Sequence, residues 1–137
     1  RPGGGANVVF MGMGEPLLNY RNVLEASRAL CGDAGEGLER RQRRVTLSTV
    51  GVAPRIAALA GEAPAGLRLA LSLHAPTQEL REELLPKAGR AWALHDVLAA
   101  VRAFEVATGQ GVLLEYILIR GRNDGDHHAD ALAALIT

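Results

Sequence analysis

The sequence predicts an α/β fold of parallel β-strands joined by helices, and three observations predict it. Short apolar runs alternate four times with stretches whose apolar residues recur at helical spacing. Glycine and proline punctuate the passages between them. The chain is 48% hydrophobic yet holds one Trp, two Tyr and two Phe, so its interior must be filled by Leu, Val, Ile and Ala, the usual filling between helices and a sheet. At 137 residues it can bury one core and is too short to argue for two domains.

The first unit runs from Asn7 to Met13 as an apolar strand, turns through glycine and proline, and continues as a helix from Tyr20 to Leu30 with Asn19 placed to cap it. In the second, the β-branched segment Arg44 to Thr49 is closed by Gly51, and Pro54 stands where a first helical turn tolerates it, ahead of Ile56 to Ala60. Unit three has a strand from Leu67 to Leu73, a stop at Pro76, a short helix capped by Thr77, and a stripe of Leu94, Val97, Leu98, Val101 and Phe104. The fourth begins with the longest apolar run, Val112 to Ile119, ended by Gly121, and closes with Ala129, Leu132, Leu135 and Ile136. Strand, crossover helix, strand implies right-handed parallel connections, in an open doubly wound sheet or a barrel; periodicity does not choose between them. Four parallel strands leave two edges, which a complete domain covers or closes, so the chain is expected to be an internal piece of a larger domain.

Composition removes some functions. Fifteen basic residues balance fifteen acidic ones, so the overall field gives no reason to expect nucleic acid or a membrane surface. No apolar run has the length of a membrane span and no signal-peptide pattern opens the chain, so a cytoplasmic protein without membrane contact is expected. Cys31 is the single cysteine, so an intramolecular disulfide is excluded, and it falls at helical spacing from Ser27 and Leu24, so it reads as a small buried hydrophobe.

The unusual polar residues fall at the carboxyl ends of the strands, where α/β proteins of both kinds bind ligands. Gly12, Gly14 and Glu15 follow the first strand, Ser48 and Thr49 the second, Ser72 and His74 the third, and Arg120, Asn123 and Asp124 the fourth. Strand side chains alternate, so Arg68, Ala70, Ser72 and His74 share one face while Leu67, Leu69, Leu71 and Leu73 share the other, which should meet the helices. By the same alternation Ser48 joins Ser72 and His74 on a common interior. Glu115 interrupts an apolar strand, and a carboxylate there must be paired, protonated or facing a ligand; a structural ion pair and a functional group remain equally open. In the turn Gly12-Met13-Gly14-Glu15-Pro16, glycines let the backbone approach a ligand and Glu15 offers an acceptor for an ammonium or hydroxyl group, although such turns are also common for conformational reasons alone.

Four segments, VVFMGMGEPLLNY, RRVTLSTVGVAPRI, LALSLHAPTQELREELLP and LLEYILIRGRND followed by HHADALAALI, stand in this order over nearly the whole chain after residue 6. Together they resemble the radical-SAM adenine C2-methyltransferases of the RlmN/Cfr group. That resemblance implies a partial (β/α) radical-SAM barrel of roughly four βα units, with residues 1–137 as the central portion of the core domain. It implies that Gly14 and Glu15 hold the amino group of S-adenosylmethionine, that Ser48 contacts the same cofactor, and that Ser72, Leu73 and His74 form a second binding segment. It further implies a [4Fe–4S] cluster on a C-x3-C-x2-C motif, an electron donor for that cluster, a methyl-carrying cysteine, and adenosines of 23S rRNA and tRNA as substrates. None of those cysteines is in this chain, so neither radical generation nor methyl transfer can be assigned to its residues, and no catalytic or metal-binding residue is expected here. A SAM- or RNA-binding module of the same fold without the iron–sulfur chemistry is the alternative.

Other features have plainer readings. Arg40, Arg41, Arg43 and Arg44 precede their strand and so belong to the end of the barrel away from the cofactor, as a solvated cluster. His127 and His128 lack further metal-ligand spacing and read as residues of a helix start, and His95 as solvent-facing. Trp92, expected in a loop after Pro86, could stack on a base or cover a helix end.

Overall fold

The structure is a computed structural model and describes residues 7–32 and 45–137. The arginines at positions 40–44 lie outside those residues. Four parallel strands form one sheet in the order β1 (Val8–Phe10), β2 (Val45–Thr49), β3 (Leu67–Ser72) and β4 (Leu113–Glu115). The spatial order is the sequence order, with each strand paired in parallel to the next. A doubly wound sheet reverses its strand order at a switch point. This one does not, and the unreversed order is that of a barrel segment, as expected.

The helices are α1 (Tyr20–Cys31), α2 (Ala53–Glu62), α3 (Gln78–Leu84), α4 (Pro86–Ala91), α5 (Leu94–Thr108) and α6 (Asp126–Ile136). The core lies between one face of the sheet and the helices. Leu67, Leu69, Leu71 and Leu73 are at most 1% exposed and meet Ile56 and Leu59 of α2 and Val97 and Phe104 of α5, while Arg68 on the opposite face is exposed. Burying each leucine contributes roughly 1.5–3 kcal/mol, so this leucine face is what fixes the register of β3.

Local signals mostly act as the residues suggest. Thr77 Oγ1 accepts from the Leu80 amide at 3.3 Å and starts α3, and Pro54 sits in the first turn of α2. Asn19 does not cap: its Oδ1 accepts from Asn22 Nδ2 at 2.7 Å, because a 3-10 turn over Pro16–Asn19 already leads the chain into α1, with Glu15 accepting at its start. Where a loop was expected, Pro86 opens α4, so Trp92 follows a helix and is half-buried against the core. Cys31 is also only partly buried.

The fourth strand is shorter than its apolar run. Pairing ends at Glu115, whose carbonyl accepts from the amides of Leu73 at 2.9 Å and His74 at 3.4 Å. Beyond it, side chains replace the ladder: His74 Nδ1 accepts from the Ile117 amide at 3.2 Å, while Asn123 takes the Ile119 amide on Oδ1 at 2.6 Å and donates to the Ile117 carbonyl at 2.7 Å. Ile117 and Leu118 are 60% and 73% exposed.

Candidate functional site

The four strand ends enclose one open cleft of about 490 Å³, bordered by the turn after β1 and by Ser48, Ser72, His74 and Glu115. The turn arrives there because Gly12 takes φ +37°, a conformation that side chains disfavour, and because Glu15 ties the turn to the next strand. The Glu15 carboxylate accepts from the Leu17 amide at 2.9 Å and Thr49 Oγ1 at 2.8 Å through one oxygen, and from the Val50 amide at 2.8 Å through the other. A carboxylate has about four acceptor positions, so one remains for a ligand. Thr49 Oγ1 accepts in turn from the Gly51 amide at 3.0 Å, which continues the network under the end of β2.

Opposite this turn, Glu115 Oε2 accepts from Ser48 Oγ at 2.9 Å and Ser72 Oγ at 3.0 Å, joining β2, β3 and β4. Glu115 is therefore held by hydroxyls and lines the cleft; among the described residues no cation pairs with it. His74 has φ +57°, a backbone strain few non-glycine residues carry, and the Asn123 side chain fixes it by donating to its carbonyl at 2.8 Å. Burial, then the nearby Arg81 charge, lower the His74 pKa below its ordinary 6.5, against an opposing pull from Glu115. That favours the neutral ring, whose Nδ1 can accept from Ile117.

Beneath the cleft lies Arg81 of α3, fully buried. Its Nη1 donates to the carbonyls of Ser72 at 3.2 Å and Leu73 at 2.9 Å, and its Nη2 donates to the carbonyl of Val50. It thus pins the ends of β2 and β3 side by side. The sequence reading passed over this residue, although Arg81 shares a helical face with Leu84 and Leu85, which signals a guanidinium turned inward.

The structure brings Gly14, Glu15, Ser48, Ser72 and His74 to the cleft. It does not bring Leu73, whose side chain is in the core and whose amide and carbonyl serve Glu115 and Arg81. Nor do Arg120, Asn123 and Asp124 line it: Asn123 staples the loop after β4, Asp124 accepts from the Gly121 amide at 2.8 Å, and Arg120 is exposed. His95 lies at the surface 3.0 Å from Asp96, and the rings of His127 and His128 contact each other at the start of α6. Among the described residues no group of three or more His, Cys, Asp or Glu could hold a metal ion.

The pattern of the Radical SAM superfamily matches residues 1–133. The chain belongs to that superfamily. A "Probable dual-specificity RNA methyltransferase RlmN" of Parafrankia sp. is 51% identical over 135 residues, which are 98% of this chain and 34% of the relative. One of the same name from Deinococcus deserti is 44% identical over 130 residues, 95% of this chain and 37% of that protein. The crystal structure of a radical SAM methyltransferase from Sphaerobacter thermophilus superposes with a TM-score of 0.84 at 42% identity, covering 95% of this chain and 37% of the other. The chain thus spans about a third of the length of the relatives it matches. In a radical SAM protein, the strand ends bordering the cleft become the place to test for the nucleoside cofactor.

Proposed function

We propose that this chain supplies the S-adenosylmethionine-binding strand ends of a methyltransferase that methylates C2 of adenosine in 23S rRNA and tRNA, acting in the cytoplasm. The observation that carries this is the convergence of Glu15, Ser48, Ser72 and His74 on one cleft, in a chain half identical to proteins named for RNA methylation. The cleft volume of about 490 Å³ is within the range of about 300–1,000 Å³ usual for small-molecule sites. Two carboxylates line it, Glu15 and Glu115, against one guanidinium beneath it, Arg81, which is turned onto main-chain carbonyls, so the balance of charge at the lining favours a cationic ligand. S-Adenosylmethionine carries a sulfonium and an ammonium. Glu15, with one acceptor position left, is placed for the ammonium, and Gly14 leaves open space beside it, since a Cβ there would meet nothing within 4 Å.

The [4Fe–4S] cluster does not fit this chain, which has one cysteine. Its ligands, the methyl-carrying cysteine and the electron donor must come from elsewhere if the reaction is that of the named relatives. What these residues do is bind and orient: Gly14 and Glu15 at the β1 end, Ser48 and Ser72 across the middle, and His74 at the far rim.

Calorimetric titration of the intact gene product with S-adenosylmethionine tests the cofactor reading, which saturable one-to-one binding supports and absence of binding refutes. The reaction is tested by mass spectrometry of 23S rRNA and tRNA from cells with and without the gene. Loss of 2-methyladenosine on deletion is the expected result; its persistence alongside cofactor binding would favour the alternative, an inactive SAM- or RNA-binding module.

A further inference from the structure

Glu115 sits at the end of β4 with Ser72 as its register partner, half-buried at the edge of the cleft. A serine hydroxyl has one proton, and both Ser48 and Ser72 give theirs to Glu115 Oε2. Toward the cleft the two serines therefore present only lone pairs. Glu115 Oε1, to which the described residues supply no donor, is a third acceptor. A cluster that could have been adaptable, since hydroxyls donate or accept as required, has its polarity set by one side chain.

We propose that Glu115 is a specificity-determining residue that makes the Ser48–Glu115–Ser72 cluster acceptor-only, so that it recognises hydrogen-bond donors of the bound cofactor and repels its carboxylate. The inference rests on the S-adenosylmethionine reading above. Two parts of that molecule carry suitable donors, the α-ammonium and the ribose hydroxyls, and both share the chemistry the cluster demands. Glutamine cannot replace glutamate here. Turned one way, its carbonyl keeps both serine protons and its amide nitrogen faces the ligand as a donor; turned the other way, the amide occupies the serines' acceptor positions and frees their protons to point outward. Either arrangement puts a donor where a ligand donor must lie.

The experiment measures binding of S-adenosylmethionine and of 5′-methylthioadenosine, which has the ribose but no ammonium, to the intact gene product and its Glu115→Gln and Glu115→Ala variants. Thermal melts identify which variants are folded. Glu115→Gln is expected to melt with the wild type and to bind S-adenosylmethionine about tenfold more weakly or worse, the effect of one lost hydrogen bond to a charged group. An equal loss for 5′-methylthioadenosine assigns the donor to the ribose; a loss absent for 5′-methylthioadenosine and shared by S-adenosylhomocysteine, which keeps the ammonium without the sulfonium, assigns it to the ammonium. Either folded variant binding both ligands within twofold of wild type overturns the proposal. A wild-type protein that binds neither ligand overturns the cofactor reading itself, a result distinct from failure of the Glu115 variants.

Discussion

Arg81 is the residue on which the site's floor depends. It has no carboxylate partner among the described residues and is held by three main-chain carbonyls, from Val50, Ser72 and Leu73. Replacing it by alanine orphans those carbonyls in a dry place, so Arg81→Ala is expected to lower stability by about 3 kcal/mol in urea denaturation. Arg81→Lys should recover only a minor part, because one ammonium cannot reach both strand ends as a planar fork does. Full recovery by lysine would show that charge alone suffices. At His74 the sign of the pH effect follows from its lowered pKa. The unfolded chain takes up the proton first, so the contribution of the neutral ring is complete above the ordinary 6.5 and is lost as pH falls from there through the folded value. Asparagine tolerates the positive φ, so melting temperatures of wild type and His74→Asn should converge as pH is lowered from about 7.5 to 5. A constant gap would contradict this. Individual roles were the least legible part of the sequence. Strand alternation placed Ser48, Ser72 and His74 on one face, but it is blind to a helix residue such as Arg81 reaching beneath them, and to which hydroxyl Glu115 would hold.

At the level of elements, the passage from β2 into α2 is a tight joint. Gly51 has φ +99°, and a Cβ built there would lie 2.8 Å from Val97 Cγ1, 3.0 Å from Arg81 Nη2 and 3.3 Å from Leu71 Cδ1. Backbone strain and overpacking therefore act together, and Gly51→Ala is expected to cost about 2 kcal/mol or more. The same substitution at Gly109, which also has positive φ but open space around it, should cost less, since strain acts there without a clash. Equal losses at the two positions, read from denaturation midpoints, would remove packing from the explanation. Gly51 was legible as the end of a strand from its place after Thr49. The end of β4 was not legible, because Ile117, Leu118 and Ile119 continue the apolar run while their backbone is satisfied by His74 and Asn123. An apolar pattern reports what could be buried, and the partner that competes for the amide lies far away in sequence.

Over the whole molecule, a one-directional sheet of four strands has an edge at β1 and an edge at β4. The order of strands and the helix-covered leucine face could be read from periodicity, but closure could not, since it depends on what pairs with those edges. At the β4 edge Leu113 is 60% exposed, with Ile117 and Leu118 beyond it, and near β1 Val9 and Met11 are 50% and 58% exposed. Edges that natural sheets keep soluble usually carry charge or proline, whereas these present apolar side chains. The electrostatic restraint on association is weak too, because the formal net charge is +0 and the isoelectric point is about 7.1. The 137-residue polypeptide alone is therefore expected to self-associate near neutral pH, with a sedimentation coefficient that rises with concentration. Leu113→Lys together with Leu118→Lys places two cations along the β4 edge without touching the core, and should shift the material toward monomer at unchanged helical circular dichroism. A wild-type chain that sediments as a monomer at all concentrations, or a double variant that associates equally well, would locate the sticky surface elsewhere.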